Sequence, residues 1–429
     1  MKKLINNKNY LLYWFGTALI MASSNIVQFM LSLYVLDITG SGTLFATMLS
    51  ITIFPRLLFT PLAGVLGDRF NRKKWMVIMG FCSGMTLTLS GTLHLSVSTL
   101  TIWMIYVLVI LLEVFETFFS SASAGILPLI VSKEELGDAT SMAGFDDGIV
   151  GIIGPIIAAI LYGRVEIGFG LIIAGLISII GISLIMVMRI LHNQENSSIQ
   201  EKKTLLHDFF EGIKLINSQI FLRKLVILAP MINFFLTSVF TISIVFVLRE
   251  NLGVSAVVYG NYQALLSAVS LLAPLIAMNL MKKRDAIRLL PSLILVMTVG
   301  FVLMTLGMIL GYFEIVDERA MIAILFLGSA VTIAIVVIMN ITTLVLFQTI
   351  IPSNFLSRIA SVVNLLATIS IPIGQMIYGS MIDLFPAFWT LILSTVGIFI
   401  LYPITKSILK NVPQSKDFKV QRMGGNLNE

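Results

Sequence analysis

Four carboxylates and one guanidinium stand inside stretches that otherwise carry no charge: Glu113 and Glu116, Asp146 and Asp147, and Arg56. An ionisable group in apolar surroundings is costly to keep charged, so it pairs, binds a ligand or exchanges a proton. Glu113 and Glu116 are three residues apart and share one helix face. Asp146 and Asp147 are adjacent and point about 100° apart. One cation cannot neutralise four acids at once. A desolvated carboxylate without a cation is suited to carrying a proton. One reading makes Arg56 a structural ion pair that ties its helices together. The other makes the group a proton-coupling site, with Asp146 or Asp147 holding Arg56 while Glu113 and Glu116 exchange a proton. The excess of acids favours the second reading for the group as a whole.

The elements that carry these residues are long apolar runs. Hydrophobic residues make up 57% of the chain and charged residues 12%, against about 25% charged in a soluble domain. A span needs about 20 apolar residues. Uncharged windows of that kind fall at 10–36, 43–66, 75–95, 100–124, 139–162, 167–189, 223–248, 256–281, 289–312, 320–349, 358–381 and 386–406. The sequence therefore predicts an all-α membrane protein with twelve transmembrane helices. Rises of about 1.5 Å per residue put the five ionisable groups roughly 12–20 Å from the inner ends of spans two, four and five. All but four of the 28 Lys and Arg lie on one side if the N-terminus is inside; Arg164, Arg249 and Arg319 fall outside and Arg56 within a span. That asymmetry predicts cytoplasmic N- and C-termini in a plasma-membrane protein. The first span follows Met-Lys-Lys-Leu with no clear cleavage site, so it is read as retained. The net charge of +6 lies in short loops and implies no nucleic acid. The single cysteine, Cys82, excludes a disulfide within the chain, and no metal-binding cluster or cofactor motif occurs.

One loop stands out between spans two and three: Gly64-Val-Leu-Gly-Asp-Arg-Phe-Asn-Arg-Lys-Lys74. Gly64 and Gly67 permit a neighbouring backbone to approach closely. Asp68, alone among Arg69, Arg72, Lys73 and Lys74, can meet a helix N-terminus or an Arg. This stretch resembles the signature loop of the major facilitator superfamily, roughly G-x-L-a-D-r-x-g-R-k. It matches at Gly64, Leu66, Asp68, Arg69, Arg72 and Lys73, with Asn71 in place of the usual glycine. The resemblance implies two six-helix halves that alternate access to a central cavity, with this loop as a gate. A weak internal repeat agrees: Pro61–Arg72 aligns with Pro274–Asp285, and Val131–Asp138 with Ile351–Arg358. The expected organisation is an N-terminal half over 1–190, a cytoplasmic linker over 191–222, a C-terminal half over 223–406 and a disordered tail over 407–429. In the linker, Leu205, Phe209, Ile213 and Ile216 recur at helical spacing, which predicts a surface amphipathic helix. The linker resembles that of the macrolide-efflux and enterobactin-exporter branch.

Span five carries Gly148, Gly151, Gly154 and Pro155, then Ala158 and Ala159. This is similar to the exporter motif of the superfamily, which ends G-P-x-x-G-G; alanines replace its last two glycines. Close helix packing is the plainer account of the same residues. Span four lacks the Arg that the family usually places near Glu113. Few polar residues face the expected cavity: Asn25 and Gln28 on span one, Asn233 and Thr237 on span seven, Asn340 and Thr343 on span ten, with Phe234 among the aromatics beside them. An apolar cavity with a few amides suits an amphipathic compound. The expected function is export of a drug-like, macrolide-like compound by proton antiport. The alternatives are a siderophore or lipid exporter, or an importer of the same fold. The expected partners are a small-molecule substrate, protons and the lipid bilayer, and the expected state is a monomer. An enzyme lacks a phosphate-cradling glycine loop or a Ser-His-Asp set, and a receptor lacks a sizeable soluble domain.

Overall fold

The computed structural model describes residues 6–69, 71–97, 101–132, 156–190, 220–283, 286–351 and 353–410, with isolated positions 4, 135, 139, 154, 213, 214, 216 and 217. Among them, eleven helices are long and apolar enough to cross a membrane. The first span is Lys8–Thr39. Asn7 caps it, accepting from the amides of Asn9 and Tyr10, and Gly40 ends it at φ 59° in the left-handed region. The second span comes in two pieces, Gly42–Ile51 and Ile53–Arg69, followed by the third, Arg72–Val97, and the fourth, Ile102–Ala124. The sixth is Ile167–Val187. The seventh begins as Ile220–Ser238 and continues through π-helical turns at Val239–Ser243 and Val247–Asn251. The eighth to twelfth are Ala256–Lys283, Ala286–Tyr312, Glu318–Ile350, Ser353–Leu384 and Phe388–Lys410. The fifth predicted span, 139–162, lies largely outside the described residues, as do the amphipathic face at Leu205 and Phe209 and the tail after 410.

The uncharged stretch 75–112 divides as its polar break at His94–Thr99 predicts, between the third and fourth spans. Large apolar side chains point outward from the spans, Trp103 and Leu58 among them. That is the surface a bilayer covers.

The chain forms two compact units. The first contains Met1–Glu201, Thr237–Ala268 and Pro372–Thr390; the second contains Lys202–Leu236, Val269–Ile371 and Leu391–Glu429. These units do not follow the division into 1–190 and 223–406, because the first also takes in one end of the seventh, eighth and eleventh spans. Within the first unit, glycines seat the sixth span. A Cβ on Gly16 would lie 2.8 Å from the Gly181 carbonyl oxygen, and one on Gly91 would lie 2.5 Å from that of Gly168. Without a side chain, backbones approach closely, which is how helices gain packing in lipid. Ser23 adds a buried hydrogen bond to the Ala174 carbonyl at 2.7 Å. In the second unit the ninth and tenth spans meet the same way at Gly300 and Gly328.

Gly91→Val therefore has no room for its branched side chain. Overpacking of a tight contact costs about 1–3 kcal/mol. The expected result is a lower melting temperature of the purified protein. Gly64→Val, placed where a Cβ meets no heavy atom within 4 Å, is expected to melt higher than Gly91→Val. Equal melting of the two variants would remove the packing argument.

Candidate functional site

The second span breaks at Thr52, directly after the end of its first piece at Ile51. Pro55 explains the break: it has no N–H to offer the Ile51 carbonyl four residues back. Arg56 follows directly. Its Nε donates to Glu113 Oε1 of the fourth span at 2.7 Å, and the Arg56 side chain is 58% exposed against 11% for Glu113. Glu116 lies one turn further along the fourth span. Its Oε2 accepts from the Ser24 hydroxyl of the first span at 3.1 Å.

These residues line one cavity of about 350 Å3 in the first unit, together with Asn25, Gln28 and Thr52, and apolar walls from Met21, Leu31, Met48 and Leu112. The predicted coupling residues Arg56, Glu113 and Glu116 thus meet the predicted cavity residues Asn25 and Gln28 at a single site. Asn25 bonds the Met21 carbonyl of its own helix at 3.0 Å. The two glutamates, expected to act alike, have different partners: Glu113 holds the cation and Glu116 holds a hydroxyl. Among the described residues the acid on Arg56 is Glu113; the expected pairing with Asp146 or Asp147 falls on positions outside the described residues.

Asn233, Asn340 and Thr343 line a separate cavity of about 120 Å3 in the second unit, beside Met339 and Phe347. Phe234 and Thr237 are not in its wall. Phe234 instead makes an edge-on contact with Phe235 at 5.0 Å. Of the fifth-span motif, Gly151 and Pro155 lie outside the described residues; Gly154, Ala158 and Ala159 are buried.

The signature loop shows helix-end chemistry. Asn71, standing where the family has glycine, caps the third span by accepting from the Lys74 amide at 3.0 Å. Lys73 Nζ donates to the Met186 and Met188 carbonyls at 2.7 and 2.6 Å, at the C-terminal end of the sixth span. The Arg72 guanidinium packs where a Cβ on Gly125 would be. The close approach expected at Gly64 is corrected: nothing lies within 4 Å of its Cβ position. The side chains of Asp68 and Arg69, and the surroundings of Gly67, lie outside the described residues.

Sequence reasoning passed over a second polar group, at the opposite end of the first span. Arg249 Nη2 donates to both oxygens of Asp37 at 2.8 and 2.6 Å, and its Nη1 donates to the Val254 carbonyl at 2.6 Å. Tyr162 donates its hydroxyl to Asp37 at 2.7 Å. A few residues after Asp37, the Ser41 hydroxyl and the amides of Gly42 and Thr43 donate to Asp383 of the eleventh span at 2.8, 2.7 and 3.0 Å. A carboxylate at the start of the second span suits the positive end of that helix. Ser50 donates to Gln375, which donates to Thr241, each at 3.1 Å. These contacts all lie in the first unit, and they tie spans one, two and five to spans seven and eleven. Charges at span ends read as ordinary loop charges, so their only signal was that Asp37, Arg249 and Asp383 each border an uncharged run.

A helical membrane bundle whose titratable groups line a cavity among its spans is the arrangement of a carrier. The family model described as Major Facilitator Superfamily matches residues 13–375, and the chain belongs to that family. Macrolide efflux protein A of Streptococcus pyogenes is 28% identical over 155 residues, 35% of this chain and 36% of that protein. The match thus spans about a third of that relative's length. An uncharacterised MFS-type transporter of Bacillus subtilis (strain 168), YvqJ, is 20% identical over 378 residues, 87% of this chain and 85% of that one. Among solved structures, a bacterial homologue of the iron transporter ferroportin in its inward-facing state aligns with a TM-score of 0.71 at 15% identity, over 94% of this chain and 99% of that one. A bacterial homologue of the human lysosomal transporter Spinster aligns with a TM-score of 0.69 at 13% identity, over 95% and 98%. At these identities the likeness is one of fold.

Proposed function

We propose that this transporter exports an amphipathic, drug-like compound in exchange for protons, with the cavity at Arg56, Glu113 and Glu116 as its coupling site. The observation that carries the reading is the unequal pairing of the two glutamates in a cavity with apolar walls. Glu113 is neutralised by Arg56. Glu116 has a neutral hydroxyl donor, which leaves it free to take up a proton when the cavity is open to one side and release it to the other. The apolar wall accepts the body of the compound, and Gln28, exposed to the cavity, offers it an amide. Similarity to a macrolide efflux protein over a third of its length supports the direction and the substrate class.

The distribution of Lys and Arg supports cytoplasmic termini in the plasma membrane. In that orientation the Asp37–Arg249 group seals the outer end, and the compound enters from the cytoplasm. Gly64, Gly67, Asp68, Arg69, Arg72 and Lys73 would form the cytoplasmic gate, and the two six-span halves, acting as a monomer, would rock about the cavity. The test is transport by the purified protein in proteoliposomes. A panel of hydrophobic compounds, macrolides included, is offered under an imposed pH gradient. Movement of at least one compound opposite to the proton flow, abolished when an ionophore collapses the gradient, is expected. Substrate movement indifferent to the gradient would reject antiport, and movement along with the protons would reject export in favour of import.

A further inference from the structure

Apart from the two cavities, a further concave surface lies where the start of the third span meets the end of the sixth. It is a groove of about 670 Å3 whose polar wall is Asn71, Lys73, Lys74 and Arg189 and whose apolar wall includes Ile78 and Met186. Among the described residues, no carboxylate lines it. Its cations are held at helix ends. Lys73 is fixed between the Met186 and Met188 carbonyls, and the Arg189 backbone amide is held by Asn9 Oδ1 at 2.9 Å. Lys74 is exposed on the first turn of the third span. Ile78 and Met186 are 48% and 55% exposed, and both stand on spans that cross the bilayer.

We infer that this groove binds an anionic phospholipid, with the headgroup phosphate between Lys74 and Arg189 and an acyl chain against Ile78 and Met186. Charge complementarity selects the anion. Lys and Arg clustered at the mouth of a gap between two transmembrane helices, with no acid among the described lining residues, suit an acidic headgroup. The apolar wall selects the lipid over a soluble anion, because its side chains are bare on a surface that only hydrocarbon covers. Lys73, with its ammonium taken up by two carbonyls, adds its field rather than a direct contact.

The experiment measures lipid retained by the full-length protein, purified from micelles containing phosphatidylglycerol and phosphatidylcholine in equal amounts and weighed by native mass spectrometry. Wild type is expected to retain phosphatidylglycerol in preference. Lys74→Gln and Arg189→Gln, made singly and together, are each expected to lower that preference about five-fold, the ratio matching about 1 kcal/mol per cation near an anionic surface. Neither residue belongs to the cavity, so the singles remain informative if the double variant is not recovered. Equal retention of the two lipids by wild type overturns the inference. So does an unchanged preference in both single variants. Displacement of phosphatidylglycerol by inorganic phosphate at the same concentration also overturns it, since the site is then one for a free anion.

Discussion

Glu116→Gln is expected to abolish export driven by a pH gradient while leaving the protein folded and able to bind its compound. The amide has nearly the shape of the protonated acid and still accepts from the Ser24 hydroxyl, now 3.1 Å from the carboxylate. It cannot release a proton, so the coupled component of transport falls to the leak rate. The change replaces a charge-assisted hydrogen bond with a neutral one, a difference of about 1 kcal/mol, so the melting temperature moves little. Glu113→Gln differs in kind. It leaves the Arg56 guanidinium without its counter-ion at 2.7 Å. Because Arg56 is 58% exposed, water screens much of that loss, which comes to about 1 kcal/mol or less. That freed guanidinium, in the same cavity as Glu116, then acts to hold Glu116 charged, so coupled export weakens as well, by a different route. The pair is distinguished by pH. Export by Glu113→Gln recovers when the solution on the proton-donating side is made more acidic, because mass action then loads Glu116. Export by Glu116→Gln does not recover at any pH. Wild-type export rates in Glu116→Gln under a pH gradient would place the coupling site elsewhere.

Asp37→Asn is expected to open the end of the bundle at which Asp37 and Arg249 meet. The pair, in which Arg249 Nη2 meets both Asp37 oxygens, is partly buried, with side chains 12% and 31% exposed for Arg249 and Asp37. Arg249 also satisfies the Val254 carbonyl, and Tyr162 completes the cluster. Neutralising Asp37 leaves the arginine half-satisfied in a covered position, a loss of about 1–3 kcal/mol after allowing for its exposure. A carrier that alternates between two states of similar energy shifts its populations about 5- to 150-fold for that difference. Spin labels at Ile38 and Val258, both half-exposed and outside the cluster, report it as a longer second distance that grows in Asp37→Asn and in Arg249→Met. Tyr162→Phe removes one neutral donor and is expected to move the populations less. Asp383 continues to hold the start of the second span in all three, so opening is expected to be partial unless Asp383→Asn is added. An identical distance distribution in Asp37→Asn and wild type would mean that the cluster only braces the fold.

The order and number of the spans follow from the sequence alone, because a bilayer leaves a chain one economical choice. Every backbone amide in hydrocarbon must be bonded within its own helix, so an apolar run of sufficient length is a helix and a charged or polar break is its end. The break near His94–Thr99 and the loop at Gly64–Lys74 were legible for that reason. Glu113 and Glu116 were legible as a pair facing one way, because helix geometry is local. Partnership is not local, and there the tertiary structure decided. Arg56 had four acids in reach on pattern grounds; of the two that are described, the packing of the second span on the fourth brings it to Glu113. Ser24, one hydroxyl among many on apolar helices, became Glu116's partner only through the packing of the first span on the fourth. Asp37 and Arg249 stand 212 residues apart, and nothing in either stretch points to the other. The glycines divide the same way: Gly64, marked by its motif, meets no neighbour, whereas Gly16 and Gly91, unmarked, admit a carbonyl of the sixth span. A residue type states what contact is permitted, and only the placement of a second helix determines whether the contact is made.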